Sequence, residues 1–232
     1  FSYGIKKAIE YGYEYLWILD DDTMPTMTAL EYFLIKDKEL KGKYGFLSRK
    51  VLWKDGTLCT MNEQKRTKWK RIQNFDKSQS VQYASFVSLF IKDEIVKRVG
   101  LPYKEFFIWA DDWEYTRRIS KQEKSYFVPD SLVYHCCNSN IGADIMNTPA
   151  ERMNRFKYMY RNDVVMYRQD KLEGYLYLFI RNIVHMIRIL QKAENKVEKI
   201  KLIFKATSEG IRFRPQIEYP SDNYGENLWL KN

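Results

Sequence analysis

The sequence predicts an α/β fold that is followed by a C-terminal helical region. Apolar runs with the composition of buried strands alternate with helix-like segments up to residue 148, and residues 16–19 and 106–110 each run directly into a cluster of acidic side chains. From Pro149 onward the apolar residues recur only at helical spacing. Ligands of open α/β sheets bind at the carboxyl ends of strands, so we expect both acidic clusters to belong to a binding site.

Composition and charge restrict the class of protein. With 45% hydrophobic residues in a chain of 232, a sizeable core can form and disorder is not expected. Lysine and arginine outnumber aspartate and glutamate by 39 to 30, and the net charge of +9 predicts an anionic partner: a nucleic acid, an acidic membrane surface or a phosphate-bearing substrate. Three cysteines without a C-x-x-C pair predict neither a disulfide framework nor a metal site of that type, and they favour a reducing cytosol.

The first acidic cluster consists of residues 20–22, which are all aspartate and follow the apolar run 16–19 directly. Thr23 and Pro25 then end the predicted strand. Three adjacent carboxylates repel one another. A hard divalent cation with oxygen ligands offsets this repulsion and can be shared with a nucleotide diphosphate. A solvated acidic turn is the alternative for a bare acidic triplet.

The elements between the two acidic clusters are predicted in order from local patterns. We expect a short helix that ends near Gly12, a helix after Thr26, extended structure over residues 44–52, a hairpin at Asp55-Gly56, a strand over residues 81–91 and a helix over residues 94–99. The basic residues 63–77 show no periodicity and predict a loop. A nucleic-acid patch is the alternative there, but we favour a solvated or phosphate-facing loop because no recognised nucleic-acid fold surrounds it.

The second acidic cluster contains Asp111, Asp112 and Glu114 and opens a predicted helix after the strand-like run 106–110. The helix dipole favours carboxylates in a first turn, which explains one such cluster without any function. Two separate clusters, each at the end of an apolar run, are harder to attribute to capping alone. We therefore treat these acids as candidate functional residues.

His135 follows two predicted short strands, residues 125–128 and 132–134, which are joined by Pro129-Asp130. A lone histidine after a strand is most often an ordinary packed or exposed side chain. An imidazole together with two carboxylates is, however, a suitable ligand set for Mn²⁺ or Mg²⁺. The combination with the acidic clusters makes His135 a candidate metal ligand.

Helices are predicted after Pro149 over residues 151–168, 172–190 and 194–214, and the tail from Pro215 is expected to be irregular. In the helix 172–190 one side is apolar, and Arg181, His185, Arg188 and Lys192 line up on another side. These charges argue against a membrane span and predict a basic amphipathic helix on an anionic membrane surface. The alternative is a helix packed on the preceding domain with its basic side in water.

Taken in order, several motifs resemble a family 2 glycosyltransferase of the galactofuranosyl- and rhamnosyltransferase-like branch. The matching residues are Gly4-Ile5 with Ala8, Tyr15 to Pro25 with the three aspartates, Phe106-Phe107-Ile108, Asp111-Asp112-Trp113-Glu114-Tyr115 with Arg118, His135, and Tyr160-Arg161-Asn162. This resemblance implies a GT-A fold, a nucleotide-sugar-binding α/β layer around a mostly parallel central sheet. It places a catalytic domain at residues 1–148 and a helical, basic region at residues 149–232. It also implies that the family's first strand, nucleotide-recognising loop and Gly-rich segment are missing before Phe1, so that the chain is N-terminally incomplete.

The resemblance implies a role for each site residue. Asp20 and Asp22 would bridge Mn²⁺ or Mg²⁺, with Asp21 in the nucleotide-sugar pocket and His135 as the third metal ligand. Asp112 would be the base for the acceptor hydroxyl, and Asp111 and Glu114 would orient the acceptor or the base. Trp109 and Trp113 would form an acceptor wall, for which core packing is the alternative.

The function that this resemblance implies is inverting, metal-dependent sugar transfer. The donor would be of the UDP-galactofuranose or dTDP-rhamnose type, and the acceptor a glycan or lipid-linked glycan of a bacterial surface polysaccharide such as capsule or cell wall. The enzyme would be cytoplasmic and peripheral on the inner face of the cytoplasmic membrane, held at the anionic surface by its C-terminal helices. The rival hypotheses are a metal-dependent phosphoryl transferase or hydrolase and a non-catalytic basic membrane-binding module. Specific nucleic-acid binding is not expected.

Overall fold

The computed structural model describes residues 1–220, which divide into two compact units. We call them the sheet unit, which holds Phe1–Tyr103, Tyr115–Gly142 and the segment from Ile217, and the helical unit, which holds Lys104–Glu114 and Ala143–Gln216.

Helices and strands alternate in the first part of the chain, and helices alone form the last part. The helices are α1 (Ser2–Glu10), α2 (Ala29–Leu40), α3 (Asp93–Val99), α4 (Asp111–Ser120), α5 (Ala150–Met153), α6 (Phe156–Arg168), α7 (Lys171–Lys192) and α8 (Lys196–Arg212). The strands are β1 (Tyr15–Leu19), β2 (Thr23–Pro25), β3 (Leu47–Trp53), β4 (Lys65–Thr67), β5 (Lys70–Arg71), β6 (Gln79–Val81), β7 (Ser88–Lys92) and β8 (Ser125–His135). Short 3₁₀ turns lie at Thr60–Asn62 and Lys104–Phe106. The α/β class and the C-terminal helices are confirmed.

The main sheet has the strand order β1-β7-β3-β8-β2, and β6 also pairs with β8. Only β3 and β8 are parallel; β1 with β7, β7 with β3, and both β2 and β6 with β8 are antiparallel. The expectation of a mostly parallel sheet is therefore wrong. The reason lies in β7, which runs opposite to β1 and β3 between them. β7 is apolar and buried along most of its length. Such a continuous apolar run is also typical of parallel strands, so it did not show the direction of β7.

Both faces of this sheet are covered by helices. Along β7, Leu89 and Ile91 pack in one apolar cluster with residues of α1 and α3, whereas Phe90 between them packs on the other face with Phe33 of α2. Successive side chains of a strand point to opposite faces, so this alternation buries the strand on both sides. The sheet therefore holds the ends of its strands in a rigid layer.

Arg49 of β3 is an exception in this apolar interior. Its side chain is fully buried, and its guanidinium carbon lies 4.4 Å from the ring centres of both Trp17 and Phe33. None of the guanidinium nitrogens has a hydrogen-bond partner within residues 1–220. Burial lowers the pKa of Arg49 to about 9, because the charged form is poorly solvated there. Cation–π contacts with the two rings partly compensate this charge.

Several local predictions differ from the structure. The two short strands expected before His135 form the single strand β8, in which the pairing with β3 jumps from Val128 opposite Arg49 to Leu132 opposite Lys50. Pro129 cannot donate to the ladder, so the residues around it bulge out while the strand continues. The loop expected over residues 63–77 contains the small β4–β5 hairpin.

Two helices of the helical unit contain glycines at close backbone contacts. A Cβ atom at Gly210 of α8 would lie 2.6 Å from the carbonyl oxygen of Arg161 in α6. A Cβ atom at Gly174 of α7 would overlap the carbonyl group of Tyr167, also in α6. The mutual packing of α6, α7 and α8 is thus set at these points by main-chain atoms.

The basic side of α7 faces water only in part: Arg188 and Lys192 are exposed, whereas Arg181 and His185 contact α6. Arg181 forms an ion pair with Asp163 of α6, and its side chain is only 17% exposed. The ring nitrogen Nδ1 of His185 lies 2.8 Å from the Tyr160 hydroxyl. An apolar side of the helix is also exposed, and we call it the apolar outer face: Leu172, Leu176, Phe179, Ile183, Ile187 and Leu190, which are 38–81% exposed. Periodicity identifies two sides of a helix but does not show which one is buried.

The predicted irregular tail is described only in part. Residues 215–220 have no regular secondary structure, and residues 221–232 lie outside the described residues. Within residues 1–220, no helix combines the length and the apolar character that crossing a membrane requires.

The helical unit should lose stability in mild acid because of His185. Burial lowers its pKa to about 4, and the positive charges of Arg181 and Arg188 act in the same direction. The folded protein therefore binds fewer protons than the unfolded chain between pH 6.5 and pH 4, so the free energy of unfolding falls as pH is lowered through this range, by on the order of 1–3 kcal/mol. Urea unfolding across this range would measure the loss, which His185→Gln should reduce. An equal pH dependence in both proteins would contradict this role.

Candidate functional site

The first acidic cluster forms the turn between β1 and β2. β1 ends at Leu19 and β2 begins at Thr23, whose N–H donates to the carbonyl oxygen of Asp20 over 3.2 Å. β2 then pairs with the end of β8, so that Thr23 lies opposite His135. The N–H of Cys136 donates to the carbonyl oxygen of Asp22 over 2.8 Å. Strand pairing therefore brings the acidic turn beside a histidine that is distant in sequence.

Three predicted metal ligands converge at this turn. A carboxylate oxygen of Asp20, a carboxylate oxygen of Asp22 and a ring nitrogen of His135 lie within 4.8 Å of one another. Nε2 of His135 is 3.0 Å from Oδ1 of Asp22. The imidazole is buried, whereas the Asp22 side chain is 41% exposed, so the cluster has a fixed inner side and an outer side open to solvent. Asp21 is exposed and does not belong to the cluster.

Asn62 determines which nitrogen of His135 faces the carboxylates. The amide nitrogen of Asn62 donates to Oγ of Ser85 over 3.2 Å, and its Oδ1 lies 2.8 Å from Nδ1 of His135. With that amide orientation Nδ1 carries the proton, and the lone pair of Nε2 points toward the acids. Metal-binding histidines commonly donate their second N–H in this way, so the residues present fit a hard divalent cation. Sequence reasoning missed Asn62, which lies in the 3₁₀ turn Thr60–Asn62, where the sequence shows no recognisable motif.

Two thiols lie on the other side of the same imidazole. Sγ of Cys59 is 3.7 Å from Nδ1 of His135 and 3.1 Å from Oδ1 of Asn62. Sγ of Cys59, Sγ of Cys137 and a ring nitrogen of His135 lie within 4.8 Å of one another. Burial raises the pKa of the Cys59 thiol to about 11. These cysteines were also missed, because tertiary structure rather than a C-x-x-C spacing brings them together.

The second acidic cluster follows an irregular loop in the helical unit. The strand expected over residues 106–110 is wrong: the chain makes a 3₁₀ turn and then places Phe107, Trp109 and Ala110 at φ values of 64°, 65° and 63°. Positive φ is unfavourable for residues that carry a Cβ atom, and such strain is common at functional sites. α4 begins immediately afterwards at Asp111, as predicted for the helix start.

Asn162 of α6 holds this loop in place. Its side-chain amide nitrogen donates to the carbonyl oxygens of Phe106 at 3.0 Å, Ile108 at 3.2 Å and Trp109 at 3.0 Å, and its side chain is fully buried. The neighbouring Arg161 donates from Nη2 to the carbonyl oxygen of Glu105 over 2.8 Å. The Tyr160-Arg161-Asn162 motif therefore has a positioning role, which the sequence resemblance did not specify.

The three acids of this cluster have different surroundings. Burial raises the pKa of the Asp111 carboxyl, which makes this group a better proton acceptor than an exposed aspartate. Oδ1 of Asp112 accepts from the N–H of Trp113 at 2.6 Å. Glu114 is fully buried, and its Oε1 accepts from Nε2 of Gln169 at 2.7 Å. Glu114 is thus tied into the interior of the helical unit.

The two tryptophans named as an acceptor wall are both half-buried. The ring of Trp109 lies 4.8 Å from that of Phe156, and the guanidinium of Arg155 lies 5.6 Å from its centre. This contact is the core packing that was the alternative for Trp109. Trp113 lies in the first turn of α4 beside the acids.

Comparisons with known proteins do not assign the chain to a family. It matches no family model, and no curated protein sequence matches it. The glycosyltransferase resemblance therefore depends on the residues quoted above and remains a proposal.

Asn162→Asp tests the positioning of the strained loop. The substitution replaces the amide nitrogen by a carboxylate oxygen that faces three carbonyl oxygens in a buried position. Arg161, which donates to Oδ1 at this position, offsets part of the cost, so the free energy of unfolding should fall by about 1–3 kcal/mol. Urea unfolding would measure this loss. Asn154→Asp is the matched control, because Asn154 is exposed in the same unit and should have little effect. Equal effects of the two substitutions would show that the amide does not hold the loop.

Proposed function

We propose that the chain is an inverting, metal-dependent glycosyltransferase that moves a sugar from a nucleotide-sugar donor to a hydroxyl of a glycan or lipid-linked glycan. The observation that supports this most directly is the convergence of Asp20, Asp22 and His135 within 4.8 Å at the end of a buried strand. These are the residues that the resemblance names as metal ligands. The sequence order alone does not require them to meet.

The cation site would be held by one oxygen from each of Asp20 and Asp22 and by Nε2 of His135. A Mn²⁺ or Mg²⁺ ion bound there would neutralise charge on the diphosphate leaving group. Asn62 keeps the proton on Nδ1, and the buried imidazole fixes the position of Nε2. The exposed side of Asp22 leaves room for oxygen atoms of a donor.

Asp112 is the proposed base that accepts the proton of the acceptor hydroxyl, and Asp111 is the second candidate. The raised pKa of Asp111, which burial causes, makes its carboxylate a stronger base. Direct attack by the activated hydroxyl inverts the configuration at the sugar carbon and forms no covalent enzyme intermediate. The hydrogen bonds from Asn162 would keep the start of α4 in one position during the reaction.

Donor binding is the first test of this function. UDP- and dTDP-sugars should bind to the chain only with Mn²⁺ or Mg²⁺, and Asp22→Asn should weaken that binding by about 10–100-fold because a metal ligand is lost. Calorimetric titration would measure it. Asp130→Asn is the control, since this exposed aspartate of β8 lies outside the cluster. A donor affinity that is the same with and without metal, and the same in wild type and Asp22→Asn, would argue against the proposal.

A sugar-transfer assay separates sugar transfer from the phosphoryl transferase alternative. Asp112→Asn should lower the rate of transfer by about 10²–10⁴-fold while donor binding stays unchanged, because only proton transfer is affected. Asp111→Asn, measured in parallel, shows which carboxylate is the base. Release of inorganic phosphate without any sugar acceptor would support the alternative instead.

We further propose that the apolar outer face of α7 contacts an anionic membrane surface. Contiguous exposed apolar side chains, such as the six on this face, commonly mark a membrane or protein contact. Exposed apolar side chains also occur on α8, at Val197, Phe204 and Ile211. Exposed basic side chains flank these residues and suit anionic head groups: Lys171, Arg188, Lys192, Lys196, Lys201 and Lys205.

Vesicle binding tests this surface. Leu176→Ser with Phe179→Ser should lower partitioning onto phosphatidylglycerol vesicles about tenfold or more, because apolar area is no longer transferred into the lipid. Flotation assays would measure it, with neutral phosphatidylcholine vesicles in parallel. Ile141→Ser is the control, since Ile141 is 77% exposed in the sheet unit. If the wild-type protein shows no lipid binding but forms oligomers, and the double substitution prevents this oligomerisation, the face binds another copy of the chain.

A further inference from the structure

His135 is shared by two donor sets of different chemistry. Its Nε2 faces the carboxylate of Asp22 at 3.0 Å, whereas its Nδ1 faces Sγ of Cys59 at 3.7 Å. Sγ of Cys137 completes the second set, in which the ligand atoms lie within 4.8 Å of one another. We call these three residues the thiol set. Cys59 is buried, Cys137 is half-buried, and both are free thiols.

The segments that carry the thiol set are fastened to each other. The N–H of Thr60 donates to Oδ1 of Asn140 over 2.9 Å, and the Thr60 hydroxyl donates to the carbonyl oxygen of Asn140 over 2.8 Å. Nε1 of Trp53 donates to the carbonyl oxygen of Cys137 over 3.0 Å. The chain near both cysteines is thus held by hydrogen bonds, which gives the set a defined geometry before any ligand binds.

We propose that the thiol set binds one thiophilic divalent cation of the zinc class. Two thiolates and an imidazole nitrogen are typical zinc ligands, and tetrahedral coordination requires one more. Oδ1 of Asn62, which is 3.1 Å from Sγ of Cys59 and 2.8 Å from Nδ1, or a water molecule completes the four. Binding releases the two thiol protons to solvent. This site does not depend on the proposed function.

Occupation of the thiol set has a consequence for the acidic turn. A neutral imidazole carries one proton and one lone pair, so a cation on Nδ1 leaves Nε2 protonated. Nε2–H then donates to Oδ1 of Asp22 and has no lone pair for a second metal. A zinc-class ion and a catalytic Mn²⁺ or Mg²⁺ ion therefore exclude each other at His135. This inhibitory effect, unlike the site itself, rests on the proposed function.

Cobalt absorption tests the site. With Co²⁺ the reduced protein should show a thiolate-to-metal charge-transfer band in the near ultraviolet, and Zn²⁺ should remove it by competition. Cys59→Ser and Cys137→Ser should each weaken or abolish the band. Cys136→Ser is the matched control, because Cys136 is exposed and lies outside the set. Asp20→Asn should also keep the band, since it changes only the acidic turn.

Several outcomes would overturn the proposal. Absence of the band in wild type would do so, as would its persistence in both Cys59→Ser and Cys137→Ser. Loss of the band equally in Cys136→Ser would show that the exposed cysteine binds the ion instead. Circular dichroism of every variant checks that a lost band does not reflect unfolding.

Manganese release tests the exclusion. The electron paramagnetic resonance signal of free Mn²⁺ should rise when one equivalent of Zn²⁺ is added to the Mn²⁺-loaded wild type, and it should not rise for Cys59→Ser. Equal release from both proteins would mean that Zn²⁺ enters the acidic turn directly, which overturns the exclusion. If Mn²⁺ never binds while Co²⁺ shows its thiolate band, the proposed function fails and the thiol set stands.

Discussion

The pairing of Thr23 with His135 is the contact on which the candidate site depends. It places the end of β8 beside the acidic turn, and without it the carboxylates would not meet an imidazole. The contact holds because β8 is anchored along β3 by seven paired residues of a buried parallel ladder. A polar site therefore obtains its precision from the apolar core beneath it, as expected for functional groups placed on rigid elements.

Local chemistry explains what could be predicted. Acidic residues after an apolar strand, carboxylates that open a helix and an Asp-Gly turn all depend on neighbours in sequence, and the structure contains each of them. The direction of β7 depends on its spatial neighbours, β1 and β3, so composition did not reveal it. The strained loop before α4 likewise depends on Asn162, a residue far along the chain that satisfies three of its carbonyl groups.

The orientation of α7 could not be predicted from the sequence either, and the reason is energetic. Hydrophobicity alone favours burial of the apolar side, but the carboxylate of Asp163 is buried on α6 and needs a positive partner. Arg181 is that partner, and its ion pair with Asp163 leaves the apolar outer face exposed. Arg49 is a contrasting case, because its buried charge lies between aromatic rings without any carboxylate partner among residues 1–220. Neither arrangement can be read from residue periodicity.

The close backbone contacts at Gly174 and Gly210 have a consequence for how this protein can change over time. Because main-chain atoms fix the packing of α6, α7 and α8 there, the side chains on the apolar outer face contribute little to the fold. Substitutions on that face can accumulate without disturbing the arrangement of the helices. The apolar outer face is thus free to diversify, while the glycines beneath it are not.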